Sequence, residues 1–161
     1  LTKGVNALHI VPVAISYGLD PCDEYKAAEL FSLDTVGKFE KDENSDIQSI
    51  LAGMIGDKGD IHVAFGEPLH FDNEVTEEEV AAVIDAQIIE NYHLHPSNYF
   101  AFFELKPDLE INIDLSKVFN KTEAEIEQLK VNFDVRLGQI PAKLRPYLLA
   151  MYANPVIAKS V

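Results

Sequence analysis

The sequence predicts an α/β fold in which two or more buried strands carry helices packed on the sheet and precede a helical C-terminal region. Three observations predict it. Residues 10–15 form an apolar, β-branched run, residues 61–65 alternate in polarity, and apolar residues recur at helical spacing after residue 70. At 161 residues the chain has the length of one domain. We divide it into an α/β portion, residues 1–105, and a helical extension packed on it, residues 106–161.

The first predicted strand organises the rest of the chain. Its apolar residues are Ile10, Val11, Val13, Ala14 and Ile15. They are too apolar and too rich in β-branched side chains for a half-exposed edge, so we expect a central strand that is buried on both faces. Pro12 has no N–H for a ladder and therefore belongs at the strand start or at a bulge. Gly18, Asp20 and Pro21 then end the strand.

The turn leads into two predicted helices. The first covers residues 23–31, with Asp20 or Asp23 as its N-cap. Residues 32–46 are rich in charge and predict an exposed connection. The second helix ends at Gly56 and carries one apolar stripe. The stripe consists of Ile47, Ile50, Leu51, Met54 and Ile55.

The second predicted strand covers residues 61–65. One face carries Ile61, Val63 and Phe65, and the other carries His62 and Ala64. Gly66 and Pro68 end this strand.

Two capping boxes predict strong helix starts. They are formed by Thr76 with Glu79 and by Thr122 with Glu125. We expect the first of these helices to reach about Tyr92 and the second to stop at Gly138. A last helix is expected to begin at Pro141 and to be ended by Asn154 and Pro155.

Four aromatic residues crowd the segment that follows Pro96. They are Tyr99, Phe100, Phe102 and Phe103. We expect them to form core between the α/β portion and the helical extension. The alternative is a contact surface, because contiguous exposed aromatic side chains usually mark one.

Composition excludes several classes of partner. Acidic residues number 27 against 13 basic residues, which gives a formal net charge of −14. Nucleic acid and anionic lipid both require a basic face, so neither is an expected ligand of this chain. The sole cysteine, Cys22, allows no internal disulfide and fits a reducing compartment. No apolar run approaches the roughly 20 residues that span a bilayer, so a cytoplasmic location is expected.

Candidate site residues have simpler structural explanations. His93 and His95 have the spacing of a metal-binding pair, but a zinc site needs three or four ligands, and we expect no metal or other cofactor. Cys22 lies beside Asp23, which disfavours a reactive thiolate and favours a small buried residue. Asp20 and Asp23 could act as an acid and base pair, although capping of the helix is the favoured explanation.

Two segments resemble the PlsC-like glycerophospholipid acyltransferases, which include the lysophosphatidate acyltransferases. The string IVPVAISY, followed by DPCDEYKAAEL, resembles a late apolar strand of that family built around Pro-Val, with Pro12 and Val13 at those positions. The string KGDIHVAFGEPL resembles a later strand that ends in a Gly-x-Pro turn, here at residues 66–68. The resemblance covers roughly residues 8–69 and indicates that residues 1–105 are the C-terminal portion of an acyltransferase domain.

The family's catalytic motifs have no counterpart in this chain. The resemblance implies an early His-x4-Asp motif, whose His acts as general base, and a Glu-Gly-Thr-Arg-like motif that holds the phosphate. Only His62 is followed at that spacing by an acidic residue, Glu67. On a strand these two side chains point to opposite faces, so they cannot form the pair. We therefore expect a fragment that lies beyond the catalytic motifs, in keeping with a start at Leu1 rather than Met.

The resemblance implies the following roles. The parent protein would transfer an acyl group from acyl-CoA or acyl carrier protein to a glycerophosphate-type hydroxyl, and this chain alone would be inactive. Pro12 and Val13 would line the wall for the acyl chain. The main partner would be the upstream catalytic part of the same protein, and the parent is free to associate peripherally with the cytoplasmic face of a membrane or to form a homo-oligomer. The alternative is a non-catalytic α/β protein-interaction domain that uses the aromatic segment or the helix over residues 122–138.

Overall fold

The computed structural model describes residues 1–40, 45–107 and 113–159. Helices dominate them. In chain order the elements are α1 (Thr2–Leu8), β1 (Val13–Tyr17), α2 (Asp23–Val36), α3 (Ser45–Ile55), β2 (Ile61–Phe65), α4 (Glu77–Asn91), α5 (Pro96–Leu105), α6 (Leu115–Val118), α7 (Glu123–Gln139) and α8 (Arg145–Lys159). The chain thus combines α and β structure, as expected, but with far less sheet than the prediction required.

The sheet within the described residues is one antiparallel pair, β1 with β2. Val13 lies opposite Phe65, and Tyr17 lies opposite Ile61. Backbone bonds continue the pairing beyond the strands, because the Leu69 N–H donates to the Ile10 carbonyl at 2.8 Å. We call this β1–β2 unit the hairpin, although α2 and α3 lie between its strands in sequence.

The prediction of a central strand buried on both faces is wrong. β1 begins only at Val13, directly after Pro12, and its residues alternate between exposed and buried positions. Ala14 and Ser16 lie on the inner face of the hairpin and are buried, whereas Val13 and Ile15 lie on its outer face and are exposed. Branched apolar side chains thus identified a strand correctly, but they carry no information on whether a second layer covers it.

Helix boundaries follow the local signals at most ends. Both capping boxes are present, at the starts of α4 and α7. α7 runs one residue past Gly138, to Gln139. α2 continues to Val36, so the predicted exposed connection is partly helical, and residues 41–44 of that connection lie outside the described residues.

The last helix departs from the prediction at both ends. It begins at Arg145 rather than Pro141, and it contains Pro155 instead of ending there. Proline in a helix costs the backbone bond to the residue four positions earlier. The flanking Ala153 and Val156 are both buried, so tertiary packing outweighs that cost.

The main core lies between α2, α5, α7 and α8. Its centre includes Ala27 of α2, Phe100 of α5, Phe133 of α7 and Leu148 of α8. A smaller cluster below the hairpin joins Val5, Leu69 and Val80. The main core contains residues from both sides of position 105, so the predicted extension packs closely against the α/β portion.

The aromatic segment of residues 99–103 forms part of helix α5. Phe100 is buried, and Phe102 packs against the main core. Tyr99 and Phe103 are half-buried and contact each other's rings at 6.2 Å between centroids. The expectation that this segment serves as core therefore agrees with the structure better than a contact surface does.

Within the described residues, no helix is both long enough and apolar enough to cross a bilayer.

Candidate functional site

The hairpin presents an exposed apolar face. We call this the outer apolar face, and it consists of Val13, Ile15, Ile61, Val63 and Phe65. Facing pairs reinforce it, since Val13 lies opposite Phe65 and Ile15 lies opposite Val63. Phe65 is 72% exposed. Contiguous apolar surface of this kind is typical of interaction sites, because leaving it in water costs free energy.

The two segments that carry the family resemblance lie side by side. The Pro12 carbonyl accepts a hydrogen bond from the Gly66 N–H at 2.8 Å. A Cβ at Gly66 would lie 2.2 Å from Gln87 Oε1, so a larger residue there would displace the end of that side chain. That oxygen in turn accepts from the Glu67 N–H at 2.7 Å. The fold therefore brings the Pro-Val strand and the Gly-x-Pro turn together, although more than fifty residues separate them in sequence.

The two predicted acyl-wall residues differ in their surroundings. Pro12 is buried, whereas Val13 lies on the outer apolar face. Only Val13 is therefore accessible to a ligand that lies on this face. Ile15 and Val63, which the sequence did not suggest as site residues, extend the same surface.

Asp20 shapes the turn before α2. Its Oδ1 accepts from the Cys22 N–H at 2.8 Å, and its Oδ2 pairs with Lys26. The Lys26 side chain therefore already has a carboxylate partner. Burial lowers the pKa of Lys26, but the hydrogen bond and the charge of Asp20 outweigh it, so the net pKa is raised. The N-cap of α2 is Cys22, and no side chain caps the helix, so the prediction that Asp20 or Asp23 is its N-cap is wrong. Asp20 closes the turn before the helix instead.

Asp23 is a buried ion-pair partner rather than a cap. Its carboxylate is fully buried, receives two hydrogen bonds from Arg136 of α7 and accepts another from the Tyr152 hydroxyl at 3.1 Å. The same hydroxyl accepts from the Asp20 N–H at 2.7 Å. The hydrogen bond to Asp23 raises the pKa of Arg136, and burial raises that of Tyr152. These contacts tie the turn to α7 and α8, a role that the sequence did not reveal.

A cavity of about 240 Å³ opens beside this turn. Its lining combines polar and apolar groups from Ile15, Tyr17, Asp20, Lys26, Tyr92, Asn98, Met151 and Tyr152. The volume falls below the roughly 300 to 1,000 Å³ that is usual for ligand pockets. Among the described residues, Lys26 is its single basic lining residue and already pairs with Asp20, so they offer no free cation there for a phosphate group.

Cys22 has a structural environment. Its thiol donates to the Ser49 carbonyl of α3 with a distance of 3.3 Å. It also lies close to Gly53, where an added Cβ would come within 3.6 Å of the sulfur. Cys22 is half-buried rather than fully buried, and its contacts hold α3 beside the start of α2. These contacts place no histidine beside Cys22, so they provide no base that could activate its thiol as a nucleophile.

Ser16 and His95 form a buried hydrogen-bonded pair. Ser16 Oγ lies 3.2 Å from His95 Nε2, which resembles the first contact of a nucleophile and its base. The two residues are only 1% and 2% exposed, however, so a substrate has no access to them. The pair therefore joins the hairpin to the start of α5. Sequence alone could not identify it, because 79 residues separate its members.

His93 and His95, which have the spacing of a metal-binding pair although no metal was expected there, lie near His62 in the fold. Within residues 1–40, 45–107 and 113–159, no group of three or more His, Cys, Asp or Glu residues has the arrangement to hold a metal ion.

No family model, no curated protein and no solved structure matches the chain.

Proposed function

We propose that this chain is the C-terminal part of a PlsC-like acyltransferase. The parent enzyme transfers an acyl group from acyl-CoA or acyl carrier protein to a glycerophosphate-type hydroxyl. A histidine paired with an aspartate removes the hydroxyl proton while the oxygen attacks the thioester carbonyl, and the thiol of the donor departs. That pair and the phosphate-binding motif belong to residues outside this chain.

The observation that carries the proposal is the incomplete surroundings of the hairpin. Among the described residues β1 and β2 pair only with each other, so the outer edge of each strand has no strand partner there. Their outer apolar face is also exposed. An isolated two-stranded unit is marginal in water, and open apolar edges are usually covered. Further strands and a covering layer from the catalytic part would satisfy both needs.

The outer apolar face supports a role as wall rather than as catalyst. Val13, Ile15 and Val63 offer methyl groups suited to an acyl chain, and none of them can transfer a proton. The described residues around the cavity beside Lys26 supply no free cation, so they do not substitute for the missing phosphate-binding motif. We therefore expect no acyl transfer by the chain alone.

Acyl transfer to lysophosphatidate tests the proposal directly. Two preparations are compared: this chain, and the natural polypeptide with every residue that its gene encodes before Leu1. Labelled acyl-CoA and acyl carrier protein serve as donors. Transfer by the longer polypeptide and none by the chain alone is expected. A longer polypeptide that lacks a His-x4-Asp motif and transfers no acyl group would refute the proposal.

A matched pair of variants tests the role of the outer apolar face in the longer polypeptide. Val63→Asp places a charge on this face, and Val131→Asp places the same charge on α7 at similar exposure, 48% against 44%. We expect at least a tenfold loss of activity for Val63→Asp, about 1.4 kcal/mol, and little change for Val131→Asp. Equal activities would remove the outer apolar face from the proposal.

The second candidate is a non-catalytic interaction domain. The same outer apolar face favours it, since exposed apolar surface also binds protein partners. The aromatic segment does not favour it, because Phe100 is buried in the core. Activity of the longer polypeptide separates the candidates: acyl transfer supports the enzyme, and its absence leaves the interaction domain.

A further inference from the structure

Three of the five histidines meet where the hairpin contacts the helices. The ring of His62 in β2 stacks on that of His93 with centroids 4.7 Å apart. His93 meets His95 edge-on at 5.0 Å, and His95 contacts Ser16 of β1. We call these three residues the histidine cluster. It connects both strands to the segment between α4 and α5.

Protonation of His93 and His95 is disfavoured by their surroundings. Burial lowers the pKa of His95, and the proximity of His93 lowers it further. Burial also lowers the pKa of His93, with additional contributions from His62 and from Lys159 of α8. Two imidazolium rings about 5 Å apart repel each other. Only His95 is buried, whereas His62 and His93 are exposed, so water screens part of this repulsion.

One nearby acid raises the pKa of His93 and of His95 and so opposes these effects. Asp60, in the turn before β2, favours the charged form of both His93 and His95. Its carboxylate also lies 3.9 Å from Lys121, a cation that offsets part of this effect. The contact of His95 with Ser16 likewise favours the charged form, but burial and the neighbouring rings outweigh both, since the net pKa is lowered.

We propose that the histidine cluster is a proton-sensitive joint, which holds the hairpin on the helices at neutral pH and loosens on acidification. At neutral pH the rings of His93 and His95 are uncharged, and His93 stacks on His62. Acid places positive charge on adjacent rings, which opposes both the stack and the burial of His95. The joint depends only on contacts within this chain, so it does not rest on the proposed enzymatic function.

The direction of the pH effect follows from linkage. A freed histidine has a pKa of about 6.5, and His93 and His95 have lower values when the hairpin is docked. Between the two values the undocked state binds more protons. Docking is therefore fully favourable above about pH 6.5 and weakens as the pH falls from there through the lowered pKa values. The more weakly a ring binds its proton in the docked state, the further acid shifts the docking equilibrium toward the undocked state.

Hydrogen exchange of backbone amides measures this docking in the full chain. Rates at pH 7.5 and 5.5 are corrected for intrinsic exchange, and amides of Ile15 and Val63 are compared with those of Leu148 in the core. We expect the opening of the hairpin, relative to the core, to rise about tenfold at the lower pH. His93→Asn, which removes the central ring, should reduce this rise to less than about threefold. His70→Asn, at an exposed histidine outside the histidine cluster, should leave it unchanged.

Titration of the histidine ring protons by NMR provides a second readout, which does not depend on how the variants fold. We expect His93 and His95 in the unmodified chain to titrate below about 6.5, the usual pKa of a free histidine. Three results would overturn the proposal: equal hairpin protection at both pH values, a full pH response retained by His93→Asn, or midpoints for His93 and His95 at or above about 6.5.

Discussion

Ile15 in β1 and Leu148 in α8 are large aliphatic residues in regular secondary structure, yet Ile15 is 49% exposed and Leu148 is 1% exposed. The hairpin buries only its inner face, whereas α8 packs against both α5 and α2. The helical core thus has its packing partners within the described residues, and the outer apolar face does not. Apolar composition alone therefore does not distinguish a packed core from an apolar surface that stays exposed.

The difference also extends to α3. This helix buries none of its residues, and Met54 and Ile55 are both more than 70% exposed. Its contact through Cys22 holds it beside α2 without covering its apolar stripe. α3 and the hairpin therefore both carry apolar side chains that the described residues leave exposed.

Truncation of one aliphatic residue in each region gives the largest expected contrast. Leu148→Ala removes a fully packed side chain and should cost about 3.5 kcal/mol of unfolding free energy. Ile15→Ala removes a side chain that is half in water and should cost less than about 1 kcal/mol in this chain. Urea unfolding measures both. Equal losses would show that the hairpin packs as tightly as the core in solution.

The buried ion pair of the core gives the next largest effect. Asp23→Ala leaves Arg136 without its carboxylate and the Tyr152 hydroxyl without an acceptor, so we expect a loss of about 3 kcal/mol. Asp134→Ala is the matched control, because its exposed pair with Lys130 should contribute at most about 0.5 kcal/mol. A small effect of Asp23→Ala would mean that these contacts do not anchor the turn.

The same Thr→Ala substitution in two helix caps compares the two regions, because both caps are Thr–Glu capping boxes. Thr76→Ala opens the cap of α4 near the hairpin, and Thr122→Ala opens that of α7 in the core. Each should cost about 1 kcal/mol of global stability if the chain unfolds as one unit. Thermal unfolding followed by circular dichroism is the measurement. A broadened or biphasic transition for Thr76→Ala alone would show that the hairpin side unfolds separately.

Substitutions at two buried serines are expected to change stability in opposite directions, and the effect at Ser97 is the smallest of the series. The hydroxyl of Ser97 in α5 is buried and has no hydrogen-bond partner among the described residues. Ser97→Ala should therefore stabilise the chain by about 0.5 kcal/mol. Ser16→Ala removes the hydroxyl that contacts His95 and should destabilise it by about 1 kcal/mol. Differential scanning calorimetry compares the melting temperatures, and a lower value for Ser97→Ala would contradict the first expectation.

Features encoded within a few residues could be predicted from the sequence. Both capping boxes need only a threonine and a glutamate three positions later, and both are present. The second strand was predicted with its observed bounds, Ile61–Phe65, but its expected burial was wrong, because every residue of β2 except the half-buried Ala64 is exposed. These features depend on local hydrogen bonding and side-chain periodicity, which the sequence displays directly.

Features that depend on distant partners could not be predicted. The sequence gives no sign that Asp23 meets Arg136, 113 residues away, or that Ser16 meets His95. The same limit explains the wrong expectation for Pro155, because packing of the neighbouring residues keeps α8 intact beyond it. For the candidate site, Val13 could be named from its motif, but Ile15 and Val63 required the register of the pairing.

By itself, then, the sequence determined the two strand segments, the starts of the two helices with capping boxes, and that the chain is strongly acidic. It did not predict that residues 96–105 form helix α5. Tertiary structure decided which face of β1 is buried, which carboxylate is an ion-pair partner, and which histidines meet. The physical reason is one of range. Propensity, periodicity and caps act within a few residues, whereas burial and ion pairing depend on groups that only the folded chain brings together.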